Sequence, residues 1–289
     1  MKSLAFGEVL WDIYPTSKHF GGAPMNFAAH FKKCGGEASI VTAIGVDTYG
    51  REALEQIQTL GIGTQYVSCL NDKETGKCLV TLDENKIPSY NLLNHVAYDH
   101  IEKPKLENEK YDVLYFGTLA LRNENNVGVL KDIISENSFD EIAVDVNVRP
   151  PYYKDSTIKF ALENATILKI SDEELPTVMR ALDIACVSDV ECAEFLSETF
   201  KNLKIVIITR ADKGSLAYRS FDKALYQTGA KSVEVVSTVG AGDSFTAAFL
   251  SKLLKTGDIS AALSLATEIS AFVVSSKDAI PEYTLSQFE

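Results

Sequence analysis

The sequence predicts an α/β fold in which helices cover both faces of a mainly parallel central sheet, with a small β-sheet added to it. Apolar, β-leaning runs alternate with helical patterns along most of the chain, and strands that alternate with helices pair in parallel. One stretch breaks this alternation with two strand-like runs that no helix separates. The 289 residues are enough for one large domain.

The N-terminal part of the chain begins the alternation. An apolar run at residues 3–10 predicts a first strand, and residues 13–20 are predicted to form a loop. A turn that contains glycine and proline then begins a helix, which a pair of glycines ends. A second strand at 39–45 and a second helix at 49–60 follow.

The stretch that breaks the alternation is predicted to be a β-hairpin. Residues 76–82 and 87–93 are its strands, and the polar residues 83–86 form its turn. Since no helix separates these strands, they do not extend a parallel sheet. We therefore expect a small accessory sheet that lies over another part of the protein. A charged linker at 102–110 follows it.

The second half of the chain resumes the alternation. Strands are predicted at 111–117, 141–146, 166–170 and 205–209, with two hairpin-like runs near 215–218 and 224–227. Helices are predicted at 125–136, 155–164, 172–181, 190–200 and 259–274, with a further one that begins near Asp243. Ligands of such folds bind at the carboxyl ends of the strands. Asp12, Asn147 and Asp243 each follow an apolar run, so we expect them to converge at that edge.

A glycine-rich turn at the start of the helix near Asp243 is the strongest candidate site. The β-leaning run 232–236 precedes Gly240-Ala241-Gly242-Asp243, which predicts a strand, a turn and a helix. Unpaired amides and the helix dipole make such a start attractive to phosphate. A carboxylate there could take a proton from a hydroxyl that attacks phosphorus. The alternative is a turn with an acidic residue that stabilises the helix.

Composition and missing motifs exclude several classes of protein. A formal net charge of −12 makes binding of nucleic acid or an anionic membrane a poor hypothesis. We expect neither a signal peptide nor a membrane span. Five scattered cysteines predict no disulfide framework and a cytoplasmic location. The sequence lacks the Gly-x4-Gly-Lys-Ser/Thr loop and a dinucleotide-binding Gly-x-Gly-x-x-Gly after its first strand.

Two long motifs resemble the signatures of the PfkB, or ribokinase-like, carbohydrate kinases. The first is Gly21-Gly22-x-Pro24-x-Asn26-x-Ala28, continued by Gly35 and Gly45. The second is Ser237-Thr238-Val239-Gly240-Ala241-Gly242-Asp243. The resemblance extends over nearly the whole chain. It is strongest to the fructokinases, on supporting stretches that include Gly7-Glu8, Ala97-Tyr98-Asp99, Asp145-x-Asn147-x-Arg149 and Lys169-Ile170-Ser171.

The resemblance implies a single ribokinase-like domain, 1–289, with a lid sheet inserted at approximately 12–20 and 64–98. It implies phosphorylation of a sugar hydroxyl by ATP with Mg²⁺, and D-fructose as the acceptor. The lid of relatives often also forms a dimer contact, so a homodimer through this sheet is part of the expectation.

The resemblance also implies roles for the matching positions. Asp243 resembles the catalytic base, and the backbone of Gly240, Ala241 and Gly242 resembles the anion hole. The implied sugar-binding residues are Asp12, Gly22 and Asn26, and Arg149 is a further candidate for contact with substrate or phosphate. Glu174 matches a position that organises Mg²⁺ through water, and the segment from Thr209 to Gly214 resembles the nucleotide loop.

Three departures from the family pattern leave the ion requirements open. Ser237 and the Lys277-Asp278 region differ from relatives that bind a monovalent cation such as K⁺. Ser171 replaces the usual Asn that precedes the position of Glu174.

Other hypotheses stay open at this point. Asp12 could cap a loop, Asn26 could cap its helix, and Arg149 could be a surface residue braced by Asp145. The acceptor could be another ketose, 2-keto-3-deoxygluconate, ribose or a nucleoside. A sugar sensor without catalytic activity is a hypothesis of a different class, and so is a nucleotide-dependent oxidoreductase, which the missing fingerprint disfavours.

Overall fold

The computed structural model describes residues 1–82, 88–106, 110–185 and 188–288. The strands are β1 Lys2–Phe6, β2 Leu10–Ile13, β3 Lys18–Gly21, β4 Glu37–Gly45, β5 Val67–Leu70, β6 Gly76–Leu82, β7 Pro88–Leu92, β8 Tyr111–Phe116, β9 Phe139–Asp145, β10 Ile167–Ser171, β11 Ile205–Thr209, β12 Ser215–Arg219 and β13 Ala224–Thr228. The α-helices are α1 Ala23–Lys33, α2 Thr48–Thr59, α3 Glu124–Glu136, α4 Asp155–Asn164, α5 Leu175–Ala181, α6 Asp189–Thr199, α7 Ala241–Thr256 and α8 Ile259–Val274. The predicted turn at 83–86, Cys186 and part of the predicted linker lie outside the described residues.

The large sheet has the strand order β13-β12-β11-β10-β9-β8-β1-β4-β5. Neighbouring strands from β11 to β5 pair in parallel, whereas β12 and β13 form an antiparallel edge. The prediction of a mainly parallel sheet is therefore confirmed. β5 was not predicted, because the polar Ser68 and the exposed Cys69 interrupt its apolar residues.

Two apolar cores lie on opposite faces of this sheet. Successive side chains of a strand point to opposite faces, so Leu4 and Phe6 of β1 enter one core and Ala5 enters the other. Helices α3 to α6 cover the first core, and α1, α2, α7 and α8 cover the second. Burial of both faces explains why most strands are continuous apolar runs in the sequence.

A small sheet with the order β3-β2-β6-β7 stands apart from the large one. The strands β6 and β7 confirm the predicted hairpin. The prediction of one strand at 3–10 and a loop at 13–20 is wrong. Gly7 has a φ of 142° and bends the chain where a Cβ would lie 2.7 Å from Pro24. After this bend, β2 pairs with β3 and β6 in the small sheet.

The predicted strand at 232–236 is also absent from the structure. Val235 and Val236 are exposed, and the amides of Val236 and Ser237 donate to the carbonyl oxygen of Val274 at the end of α8. The run has β-leaning residues, but in the described part of the chain it pairs with no strand of the sheet. An apolar run alone therefore did not suffice to predict a strand.

Two further features are the character of the helices and the state of the cysteines. In the parts of the chain that the structure describes, no helix combines the length and apolar character needed to cross a membrane. The described cysteines are free thiols, with Cys69 exposed and Cys34, Cys78 and Cys192 buried.

Candidate active site

Helix α7 begins at a turn that only glycine fits. Gly240 has a φ of 82°, which strains any residue with a Cβ. A Cβ on Gly240 would also lie 2.7 Å from the carbonyl oxygen of Ala279. The turn places Asp243 in the first turn of α7, where its side chain is buried.

The first amides of α7 lie at a helix start, where the backbone can attract an anion. Ala241 and Gly242 are only partly buried. The amide of Ala241 donates to the carbonyl oxygen of Thr238 over 3.3 Å, and helix geometry leaves the amides of the first turn without acceptors inside α7. The positive end of the helix dipole lies at the same place. The arrangement can therefore hold an anionic oxygen beside the carboxylate of Asp243.

Asn26 brings the first motif into contact with the second. Nδ2 of Asn26 donates to Oδ2 of Asp243 over 2.8 Å, although the two residues are 217 positions apart. The α1 turn that holds Asn26 begins at Gly22, where a Cβ would lie 2.4 Å from the carbonyl oxygen of Glu8. Oδ1 of Asn26 is buried without a partner among the described residues, so it can accept a hydrogen bond from a ligand. The helix cap is Gly22 and makes no side-chain cap bond, so the interpretation of Asn26 as a cap is wrong.

Asp243 and Glu8 are buried carboxyl groups whose pKa values are raised. Burial and the charge of Asp145 raise the pKa of Asp243 to about 6, although the hydrogen bond from Asn26 lowers it. Burial likewise raises the pKa of Glu8 to about 7. One oxygen of Glu8, Oε2, has no partner in the described part of the chain. Asp243 is mostly ionised at neutral pH and can accept a proton there.

Asp12 approaches the site from the small sheet. It lies within β2, opposite Cys78 of β6 and His19 of β3, so the expectation that it follows a strand of the large sheet is wrong. Its place inside a strand also excludes a loop cap. Burial raises the pKa of Asp12, and its side chain makes a hydrogen bond with Cys78.

Arg149 lies on the loop after β9 and is exposed. Its charge lowers the pKa values of Glu8, Asp12 and Asp243 against the effect of burial, so all three carboxyl groups are within its electrostatic range. Arg149 forms no ion pair with Asp145 among the described residues, where Asp145 pairs with Lys169, although the charge of Arg149 also lowers the pKa of Asp145. Arg149 contacts the carbonyl oxygen of Val148 instead.

Glu174 ties two loops together at the carboxyl edge of the sheet. Its Oε1 accepts from the amide of Val148 over 2.6 Å, and its Oε2 accepts from the amide and hydroxyl of Ser171, each over 2.9 Å. A carboxylate has about four lone-pair sites, so Glu174 can accept a further hydrogen bond from a water molecule.

The segment from Thr209 to Gly214 forms the turn between β11 and β12. Gly214 has a φ of 84°, and a Cβ there would lie 2.0 Å from the carbonyl oxygen of Thr228. The hairpin β12–β13 thus accounts for this glycine on structural grounds. The carbonyl oxygen of Thr209 accepts from the amide of Asp172, which joins this turn to the edge where β10 ends.

The C-terminal segment reaches the same edge. Ala279 packs against Gly240, and its carbonyl oxygen lies 2.8 Å from Nε2 of His30 in α1. Asp278 pairs with His19 of the small sheet over 3.5 Å. The hydroxyl of Ser237 accepts from the amide of Val239 over 3.3 Å.

Sequence reasoning assigned no role to Glu8 and Lys169, two buried ionisable residues at this site. Lys169 pairs with Asp145, whose carboxylate oxygens lie 3.1 Å from Nζ. A lysine inside an otherwise apolar strand, Ile167–Ser171, is the signal that could have indicated the pair.

Comparison with known proteins gives a family match over nearly all of the chain. Residues 4–284 match the sequence profile described as pfkB family carbohydrate kinase. A probable fructokinase-5 from Arabidopsis thaliana is 27% identical over 311 residues, which cover 96% of this chain and 93% of the relative.

Solved structures share the fold. A fructokinase from Vibrio cholerae O395 bound to fructose, ADP and calcium gives a TM-score of 0.85 at 21% identity, covering 99% of this chain and 98% of that chain. An aminoimidazole riboside kinase from Salmonella enterica, complexed with aminoimidazole riboside and an ATP analogue, gives a TM-score of 0.83 at 22% identity, covering 100% and 98%.

Proposed function

The chain belongs to the pfkB family of carbohydrate kinases, and we propose that it is a fructokinase, which transfers a phosphoryl group from ATP to D-fructose to give D-fructose 6-phosphate. Support for this acceptor comes from relatives such as the Arabidopsis thaliana probable fructokinase-5, at 27% identity. Support for the chemistry comes from the contact between Asn26 and Asp243. Asn26 is a polar side chain that can bind a sugar hydroxyl. The contact places it beside the carboxylate of Asp243, at the helix start where we propose that the phosphoryl group binds.

Asp243 is the general base of the proposed reaction. A sugar hydroxyl is a weak nucleophile, and a carboxylate about 3 Å away can take its proton as the bond to phosphorus forms. The backbone amides of Gly240, Ala241 and Gly242 would donate to the phosphoryl oxygens. Because these donors are fixed by the turn at Gly240, they stabilise the developing charge without rearranging.

Asp12, Gly22, Asn26 and Arg149 form the proposed acceptor site. A sugar offers neutral hydroxyls, which short polar side chains bind by accepting and donating hydrogen bonds. The free Oδ1 of Asn26 would accept from one hydroxyl. The small sheet carries Asp12 over the site as a lid and excludes water that would otherwise attack ATP.

Thr209, Gly214 and Glu174 are the proposed contacts on the nucleotide side. Within the described residues, no three His, Cys, Asp or Glu side chains are arranged to hold a metal ion. Mg²⁺ on a nucleotide takes most of its ligands from phosphates and water, and Glu174 keeps lone pairs for such a water. The Mg²⁺ ion would neutralise phosphate charge. A K⁺ site near Ser237 and the Lys277-Asp278 region stays an open part of the proposal.

Two further parts of the proposal concern the protein as a whole. We place the enzyme in the cytoplasm, as its cysteine pattern predicts. We also propose that it is a single domain in which the small sheet is both lid and homodimer contact. Size-exclusion chromatography with light scattering would test the dimer.

A second candidate acceptor is a nucleoside. The fold likeness to the aminoimidazole riboside kinase is nearly as high as that to the fructokinase, with a TM-score of 0.83. Fold alone therefore does not separate the two acceptors.

The test is ADP release from MgATP with fructose, ribose, glucose, 2-keto-3-deoxygluconate and adenosine, each with and without K⁺. A response to fructose alone supports the proposal. A response to adenosine or to another sugar keeps the kinase and overturns the acceptor. A folded protein that releases no ADP with any of them contradicts the proposed activity.

A further inference from the structure

Lys169 is a buried cation in the middle of the large sheet. It is 7% exposed, and Asp145 beside it is 1% exposed. Lys169 in β10 and Asp145 in β9 are partners in the parallel register. The Nζ atom lies 3.1 Å from both Oδ1 and Oδ2 of Asp145. Oδ1 of Asp145 accepts a hydrogen bond from Nζ, and the ammonium group has no other acceptor in the described part of the chain, so at least one of its three N–H groups remains available.

The ammonium group packs against the start of α7. A Cβ on Gly242 would lie 3.0 Å from Nζ of Lys169, so the glycine makes room for the cation. The N-terminal end of a helix carries positive dipole charge. The charge of Lys169 is therefore repelled by the start of α7. An anion bound between the ammonium group and the helix start would be attracted by both.

Stability does not explain the pair. Burying two ions costs several kcal/mol each, and their attraction often does no more than offset this cost. The neighbouring side chains of β10, at Ile167, Leu168 and Ile170, are buried and apolar. An apolar residue at 169 would continue that pattern, so the charge needs another reason.

Carboxylates from three other elements keep Lys169 charged. Burial by itself would lower the pKa of Lys169, but the charges of Asp145, Glu174 and Asp243 outweigh burial and raise the pKa. These groups come from β9, from the start of α5 and from α7. The site therefore holds a permanent ammonium within reach of the first turn of α7.

We propose that Lys169 is a catalytic residue that completes the anion hole: its free N–H donates to an oxygen of the transferring phosphoryl group above Gly242. This inference rests on the proposed kinase function. In the step, the bond from the sugar oxygen to phosphorus forms as the bond from phosphorus to the bridging oxygen of ADP breaks. The hydroxyl proton passes to Asp243, while Lys169 keeps all its protons and Asp145 holds it in place.

The test compares Lys169→Met with the double variant Lys169→Met/Asp145→Asn. The single variant leaves Asp145 buried without its cation, which destabilises the fold for purely structural reasons. The double variant removes both charges, so no unpaired charge stays buried. We expect its melting temperature to approach that of the wild type, while kcat stays lower by ~10²-fold or more and the KM for the sugar changes little. Recovery of kcat together with the melting temperature would overturn the proposal.

A binding measurement tests the proposed contact between Lys169 and the phosphoryl group without turnover. ADP with fluoroaluminate imitates a transferring phosphoryl group, and its affinity can be compared with that of ADP by calorimetry. We expect the double variant to bind ADP as the wild type does and to bind ADP with fluoroaluminate at least ~10-fold more weakly, since a charged hydrogen bond is lost. Equal affinities would overturn the role of Lys169. A wild type that binds this complex yet phosphorylates no acceptor would contradict the proposed function instead.

Discussion

Nδ2 of Asn26 donates a hydrogen bond to Oδ2 of Asp243 over 2.8 Å. The bond joins the first turn of α1 to the first turn of α7, so the two glycine-rich motifs of the sequence meet at one point. A hydrogen bond to the ionised form of a carboxyl group favours that form. Asn26 therefore orients the carboxylate and also counters part of the rise in its pKa that burial causes.

Asp243→Asn tests the proposed base directly. Asparagine keeps an oxygen that can accept from Asn26 but cannot take a proton, so we expect binding of sugar and ATP to persist while kcat falls by ~10²–10⁴-fold. Steady-state kinetics and calorimetry with the sugar measure both effects. Asp72→Asn, at an exposed carboxylate, is the control and should keep wild-type kinetics. A near-wild-type kcat in Asp243→Asn would show that Asp243 is not the base.

The pH dependence of kcat should report the ionisation of Asp243. The base works only when ionised, and burial raises its pKa to about 6. We therefore expect kcat to rise as the pH increases through about 6 and then to level off. Asn26→Leu removes the bond that lowers this pKa, so the rising part of the profile should move to higher pH. Kinetics at saturating sugar separate this shift from weaker binding, and an unmoved profile would contradict the pairing.

The sequence allowed prediction of the local features of this site. The start of α7 depends on residues next to each other, Gly240 to Asp243, and its turn follows from their identity. The contact between Asn26 and Asp243 depends on how α1 and α7 pack, which no local pattern contains. Likewise, Lys169 meets Asp145 only through the register of β9 and β10, so their pairing could not be predicted from a single sequence.

The wrong predictions have a shared physical cause. Residues 232–236 and the run that includes Leu10 are apolar, and apolar character indicates burial without saying which sheet a segment joins. The bend at Gly7 sends Leu10 to the small sheet, whereas Val236 attaches to the end of α8. Asp12 lies in β2 and therefore belongs to the small sheet.

Asp12→Ala tests whether the small sheet contributes to acceptor binding. A substrate hydroxyl left without its buried partner costs ~1–3 kcal/mol, so the KM for the sugar should rise by roughly 5- to 150-fold. The KM for ATP should stay unchanged, because Asp12 lies on the side of the small sheet. Glu74→Ala, at an exposed carboxylate near the same sheet, is the control. Equal changes in both KM values would indicate a general effect on lid structure.

The turn at Gly240 provides a test of the anion hole that does not alter any polar side chain. Gly240→Ala forces a Cβ into a left-handed conformation and to 2.7 Å from the carbonyl oxygen of Ala279. The backbone must shift, which moves the amides of Ala241 and Gly242 away from their positions. Since displaced donors lose their effect on the transition state, we expect kcat to fall by ~10²-fold or more.

Gly257→Ala is the matched control for this variant. Gly257 ends the same helix with a φ of 69°, and nothing lies within 4 Å of its Cβ position. The left-handed conformation should cost each variant about 1–2 kcal/mol of unfolding free energy, and the contact with Ala279 should add to this cost in Gly240→Ala. Denaturant titration measures both losses. Only Gly240→Ala should lose turnover. If both variants slow the reaction equally, the loss reflects general destabilisation of α7, and the amides at its start would not form the anion hole.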